Sequence, residues 1–539
     1  MAADVMDNKY FAQENRPYFI DSLLTWTHEA ERTVQANIDL PSTTLKTITY
    51  NFATIPNQDS NAVEHGLPQN FRAFNSTEKN VVLSALKDFE QVLNVKFVAS
   101  NEAQMTFFMD DLSNRYGTES SRYTGYGQTG GDVHFNSSRF NNIDLKLDGS
   151  LGVYTVLHET AHTLGLKHPH YQGPDANDPW PTLPTSEDHV SHTIMSYDRT
   201  GGESVLGDFD LAALQYIYGP STQQRAGDDT YHVSDHYIWD GAGVNRIDLS
   251  GAWTNTTLNM NEGQWSHVGN KSSSILTAGQ MFIGYGTKIE KATGSEFSDT
   301  ITGNDYDNTI HGMAGDDTLR GNAGNDYLSG GTGKDTLMGG SGNDVYIVDN
   351  YDDRVIEYSK QGNDTVYSTV SFRLPEYVES LYLNKGGVAI GNAWHNKLVG
   401  NAEDNQIYGL AGNDTLYGNA GDDAIYGGRG QDTMSGGSGK DVFIFESQYD
   451  SSTKLSLSDV ITDFKSGEDK ISLSAIDSDI NTAGDQAFKL ISASASFSQA
   501  GQVKFVDGVL YGNNDSDSAA DFAIRLLHVD YLNYSDIIL

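Results

Sequence analysis

The sequence has no cysteine among its 539 residues. No disulfide can staple the fold, and no thiol can act as a nucleophile or a soft metal ligand. Basic residues are few: 34 Lys and Arg stand against 73 Asp and Glu, for a formal charge of -39. A nucleic-acid partner is excluded by that balance, because phosphate binding needs clustered Lys and Arg. No apolar run approaches the length of a membrane span. The first residues, MAADVMDNKY, lack the basic stretch and apolar core of a general secretory signal. Disorder does not account for the acid, since Tyr (29) and Phe (22) are plentiful. Much of it is Asp beside Gly, which points to cation binding.

The length exceeds one ordinary core, so two or more domains are expected. Residues 47–52 (TITYNF) alternate as a strand. Over 77–93 the apolar residues Val82, Ala85, Leu86, Phe89, Val92 and Leu93 recur at helical spacing, with Ser76 as the expected N-cap. Strands follow at 95–98, 105–109 and 130–135. A second helical pattern opens near Asp208 and stops at Tyr218-Gly219-Pro220. The alternation predicts an α/β domain over 46–222, after an N-terminal extension or pro-segment at 1–45.

Within that domain, residues 158–168 read HETAHTLGLKH. His158 and His162 are four apart and project from one helical face, spacing that suits two ligands of a tetrahedral Zn²⁺. Glu159, between them, could reach a water held by the ion. Gly165 can adopt the left-handed conformation that ends a helix. Pro169 biases His168 away from helical angles, so His168 sits on a returning segment and can complete a three-His set. Downstream, residues 194–197 read Ile-Met-Ser-Tyr.

HExxHxxGxxH followed by a Met-containing turn is the metzincin pattern. The Pro after the third His, and the Tyr two residues after the Met, resemble the serralysins. That resemblance implies a zincin-like catalytic domain and a metalloendopeptidase acting on protein or peptide substrates. It makes His158, His162 and His168 zinc ligands and Glu159 the general base toward zinc-bound water. It places Met195 as an apolar floor and Gly165 as the turn. Tyr197 becomes a further ligand that swings off to the oxyanion. Residues 130–135 resemble the edge strand on which this family lays extended substrate.

Beyond residue 290 the composition changes to Gly, Asp and Asn with a period of nine. GMAGDDTLR, GNAGNDYLS, GGTGKDTLM and GGSGNDVYI match the GGxGxDxUx nonapeptide of a parallel β-roll. Arrays span 294–347 and 391–444, with a strand-like insert at 350–390 that lacks the period. Asp317, Asp326, Asp335, Asp344, Asp414, Asp423, Asp432 and Asp441 supply sixth-position carboxylates for Ca²⁺. Leu319, Leu328, Leu337 and Tyr346 point inward. Asn308, Asn396 and Asn405 stand where Asp belongs, which predicts capping turns. Before the arrays, QQRAGDDTYHV, WDGAGVNRIDLSG and TKIEKATG resemble the serralysin loops that hold further calcium. On that likeness Arg225, Gly227, Asp229, Asp240, Gly243 and Glu290 are ligands. Ala242 and Asn245 depart from the family pattern there.

The domain order is therefore a metzincin catalytic domain (46–222), an all-β parallel β-roll (223–445) and a C-terminal β region (446–539). The final Asp-Ile-Ile-Leu resembles the uncleaved signal of type I-secreted RTX proteins, which implies type I secretion machinery as a partner and an extracellular, bacterial setting. A monomer binding one Zn²⁺ and several Ca²⁺ is the expectation. The competing reading is a calcium-dependent RTX adhesin with a vestigial protease module.

Overall fold

The computed structural model describes residues 16–24, 44–55, 71–110, 112, 125–127, 131–137, 151–170, 181–198, 205–481 and 486–539. Most of the 1–45 extension lies outside them. Two compact units emerge: Met1–Asn245 with Asn261–Trp265 and Ser273–Lys288, and Arg246–Met260 with Ser266–Ser272 and Ile289–Leu539.

The first unit builds on a five-stranded sheet. Its elements are α1 (Tyr18–Asp21), β1 (Lys46–Phe52), α2 (Ser76–Val92), β2 (Val95–Ala99), β3 (Met105–Asp110), β4 (Gly125–Gly127), β5 (Val133–Asn136), α3 (Leu151–Thr163) and α4 (Asp208–Tyr218). The strand order is β2-β1-β3-β5-β4, parallel except for the antiparallel β5–β4 pair. Residues 133–136 are therefore not the edge expected from sequence. Among the described residues, the short strand Gly125–Gly127 covers them and forms that edge.

Helix α2 opens one residue earlier than Ser76 implied. Asn75 accepts the N–H of Glu78 at 2.9 Å, and Glu78 returns the bond to the N–H of Asn75 at 2.9 Å, a reciprocal cap that satisfies two orphan donors. Its apolar face, Val81, Val82, Ala85, Leu86 and Phe89, is buried in a core shared with α3 and α4. Phe19, Ile20, Leu23 and Leu24 belong to the same core, so the described part of the N-terminal extension is packed structure.

The second unit is a parallel roll. Each turn lays a strand in one of two sheets, so a strand pairs with the one a full coil away: Ile310 with Leu328 and Leu319 with Leu337, an offset of 18 residues. Leu319, Leu328, Leu337, Tyr346, Leu416, Ile425, Met434 and Phe443 are fully buried between the sheets. Burial of each such side chain contributes about 1.5–3 kcal/mol.

The strand-like insert at 350–390 interrupts the roll on one side only. Val345–Val348, Thr365–Ser368, Ser380–Leu383 and Lys397–Val399 pair successively in parallel, so one sheet runs unbroken between the arrays. In the opposite sheet the first array ends at Arg354–Val355, and a separate sheet begins at Phe372–Arg373. At the C-terminus Ile537 pairs with Ile471 and Ser472 with Ile538, so this segment is a strand of the roll.

Candidate metal centre

Helix α3 carries His158, Glu159 and His162, and Gly165 ends it with φ +112°. Leu166 donates its N–H to Ala161 O at 3.0 Å, which closes the turn and sends the chain back to His168. Gly127 of β4 lies against the same helix. A Cβ there would sit 2.1 Å from Glu159 O, so only glycine fits this approach.

The imidazole orientations follow from their backbone partners. His158 Nδ1 lies 2.8 Å from Ile194 O, and His162 Nδ1 lies 2.8 Å from Leu166 O. A carbonyl only accepts, so both Nδ1 atoms carry the proton and both Nε2 atoms present lone pairs. His168 Nε2 is 3.1 Å from His158 Nε2 and 3.3 Å from His162 Nε2. Burial pushes His162 down to about 4, and burial followed by the neighbouring histidines pushes His168 far below the usual range, so the rings stay neutral.

The Nε2 lone pairs of His158 and His162 converge on His168 Nε2, a donor set that suits a cation. Four ligands set tetrahedrally at 2.0–2.1 Å are about 3.3–3.4 Å apart, so the nitrogen spacing fits Zn²⁺. Glu159 is buried one residue along the helix from His158. Tyr197 is 59% exposed and packs against His168 at a tilt, with centroids 4.5 Å apart. Its hydroxyl lies 3.5 Å from His168 Nδ1, the nitrogen turned away from the cluster.

Met195 is fully buried, and two residues that the motif does not contain hold its turn. Asp210, in the first turn of α4, accepts from Thr193 Oγ1 at 2.6 Å, Ile194 N–H at 2.7 Å and Gly207 N–H at 2.8 Å. The Tyr154 hydroxyl reaches Ile194 O at 2.8 Å and Ser196 O at 2.9 Å. Tyr154 stands one turn before His158 on the same helix face, a spacing that sequence could have flagged; Asp210 offered no such signal. Lys167, beside His168, donates to Ser22 O at 2.6 Å and Pro181 O at 2.8 Å.

In the roll, all eight sixth-position aspartates behave alike. One carboxylate oxygen accepts the N–H of the residue 18 positions earlier: Asp335 from Asp317 at 2.8 Å, Asp432 from Asp414 at 2.8 Å. The other oxygen of Asp317, Asp326, Asp335, Asp344, Asp414, Asp423, Asp432 and Asp441 is buried with no partner. Such orphan oxygens fit a hard cation. Asp364 and Asp459, which the sequence reading missed, also leave one carboxylate oxygen buried without a partner. Asn308, at an outer turn, instead brings its own donor, from Nδ2 to Asn304 Oδ1 at 3.0 Å.

The loops before the arrays differ. Arg225 O already accepts from Gly241 and Ala242, and Asp240 accepts from Tyr231 at 2.7 Å and Ala242 at 2.9 Å. Gly243 has φ +111°, and a Cβ there would lie 1.9 Å from Gly227 O. The Asp229 N–H donates to Asn245 Oδ1 at 3.1 Å. Glu290 belongs to the second unit. Among the described residues, no carboxylate of this stretch belongs to a cluster of three His, Asp or Glu ligand atoms.

Known proteins bear on both sites. The matrixin family matches residues 42–174. The RTX calcium-binding nonapeptide repeat matches in windows within 293–346 and 391–451. These families imply a catalytic zinc in the first unit and calcium in the roll. A serralysin of Photorhabdus luminescens is 33% identical over 43% of this chain and 53% of its own length. Metallopeptidase AprA of Pseudomonas marginalis is 29% identical over 47% of this chain and 59% of its own. The chain thus spans about half the length of the curated relatives it matches. The solution structure of the AlgE6R3 subunit from the Azotobacter vinelandii mannuronan C5-epimerase is 29% identical, covering 28% of this chain and 80% of that one, with a TM-score of 0.21.

Proposed function

From a chain that joins a matrixin-type domain to RTX calcium-binding repeats and is similar to serralysins, we propose a secreted zinc-dependent endopeptidase. The observation that carries this reading is the convergence of three histidine Nε2 atoms, 3.1 and 3.3 Å apart across His168, beside the buried Glu159. His158, His162 and His168 hold the metal. Zinc there supplies Lewis acidity, which lowers the pKa of a water toward ~7 and polarises a peptide carbonyl. Glu159 takes the proton of the attacking water and passes it to the leaving amine. Tyr197, exposed and adjacent to His168, turns its hydroxyl toward the developing oxyanion. Met195 gives the ligands an apolar floor. An extended substrate pairs with the edge that β4 forms among the described residues, where Gly127 lies close against α3.

The domain layout goes with this function: catalysis over 46–222, a calcium-stabilised roll over 223–445 and a closing β region over 446–539. Loops at 225–243 add calcium ligands, as does Glu290 in the second unit. A roll that folds only where calcium is plentiful suits export through a type I system, with the C-terminal segment as its address and a monomer as the product. A vestigial module would not need three histidine Nε2 atoms converging on one point, so the adhesin reading is the weaker. Casein hydrolysis that a strong zinc chelator abolishes and added zinc restores supports the proposal. Hydrolysis unaffected by the chelator contradicts it.

A further inference from the structure

One acidic cluster in the roll is not explained by the nonapeptide. Sixth-position carboxylates recur every nine residues through Asp335, Asp344 and Asp353. The next to take the equivalent hydrogen bond is Asp364, eleven residues on, which accepts the Asp344 N–H at 2.8 Å. The widened turn differs at its first position too. Leu337 pairs with Val355, so Glu357 stands one coil after Gly339. At Gly339 a Cβ would lie 2.0 Å from Asp344 Oδ2, and no side chain fits. In the longer turn a glutamate is accommodated, and it is only 6% exposed.

Its carboxylate is aimed inward. Tyr346 donates its hydroxyl hydrogen to Glu357 Oε1, and the Gly339 N–H fixes Tyr346 by donating to that hydroxyl at 2.7 Å. Glu357 Oε2, Asp344 Oδ2 and Asp364 Oδ2 are buried without a partner. The three residues each offer an oxygen, and these lie within 4.8 Å of one another. Among the described residues no other three carboxylates gather in this way. Like charges this close in a buried setting repel strongly, so the ionised cluster calls for a cation. Calcium binds oxygens at 2.3–2.6 Å, so ligands across one ion are about 4.6–5.2 Å apart, which spans the cluster.

We propose that Asp344, Glu357 and Asp364 form a calcium site that departs from the repeat pattern, with Glu357 as a ligand that the insert contributes. Three carboxylates in a rigid, buried setting bind calcium more tightly than the turns of the arrays. The site fixes the strand Thr365–Ser368 against Val345–Val348, where one sheet crosses from the first array into the insert.

The test titrates calcium into the full chain against a competing chelator. The wild type is expected to keep one calcium under conditions that empty the other roll sites. Glu357→Gln weakens that site at least tenfold and leaves the remaining count unchanged, while Asp432→Asn in the second array leaves the tight site intact. A Glu357→Gln protein that retains the tight calcium with unchanged affinity overturns the proposal. Should that variant not refold at saturating calcium, terbium decides. Tyr346 is the antenna beside the site, so Tyr346→Phe loses most of the tyrosine-sensitised emission of the first terbium bound. Undiminished emission overturns the proposal equally.

Discussion

The Asp210 carboxylate accepts the N–H of Ile194 at 2.7 Å, so the first turn of α4 holds the turn that carries Met195. The same carboxylate serves Thr193 and Gly207. Asp210→Ala strands several buried donors, each costing about 1–3 kcal/mol. The expected loss is about 2–5 kcal/mol of stability in denaturant unfolding, with weaker zinc retention. A loss near zero contradicts the assignment.

Burial raises the pKa of Asp210 to about 7, above its unfolded value. The sign follows from linkage: its contribution is fully present below the unfolded carboxylate range and is lost as pH rises through about 7. Wild-type stability should therefore fall, relative to Asp210→Asn, between about pH 4 and pH 7. A difference that stays flat with pH contradicts this.

The convergence of the three histidines was legible because their logic is local. His158 and His162 share one helix, and Gly165 turns the chain to His168. Asp210 was not legible, because its partners lie in a distant turn that only the fold brings near. The edge strand was misplaced because Gly125–Gly127, three residues long, has no alternation to read. The sixth-position aspartates were readable from register alone. The insert escaped because Glu357 replaces a glycine and the turn to Asp364 is two residues longer, which breaks the nine-residue count while the parallel pairing continues.

Calcium and protons compete for the orphan oxygens. Burial raises Asp317 and Asp414 to about 8, Asp326 and Asp432 to about 7, and Asp335, Asp423 and Asp441 to about 6. The calcium-free roll is thus favoured at acid pH and loses stability as pH rises through about 6–8. Calcium binding at pH 6 should release protons, and at pH 9 almost none. Calorimetry in buffers of different ionisation enthalpy measures this; equal release at both pH values contradicts it.

Met313 and Leu410 adopt φ of +87° and +79°, where equivalent turns have Gly331 and Gly428. Both side chains are partly exposed, so little packing is at stake. Left-handed backbone costs a non-glycine residue roughly 1–2 kcal/mol, and glycine's unfolded-state entropy returns about half of it. Leu410→Gly should stabilise the calcium-loaded roll by about 0.5–1 kcal/mol. Destabilisation in thermal unfolding contradicts this.

Phe19, Ile20, Leu23 and Leu24 are buried, and Lys167 donates to Ser22 O. A chain beginning at residue 25 should lose near-UV circular dichroism and cooperative unfolding in its catalytic unit. Retained cooperative unfolding at the wild-type midpoint contradicts a structural role for this segment.

The central claim is that Glu159 moves protons beside a metal that the three histidines hold. Casein hydrolysis by wild type and Glu159→Gln, with zinc content measured on the same samples, tests it most directly. The account predicts about one zinc per chain in both proteins and loss of at least about 100-fold in hydrolysis in the variant. A zinc-loaded Glu159→Gln protein that hydrolyses casein at the wild-type rate contradicts it.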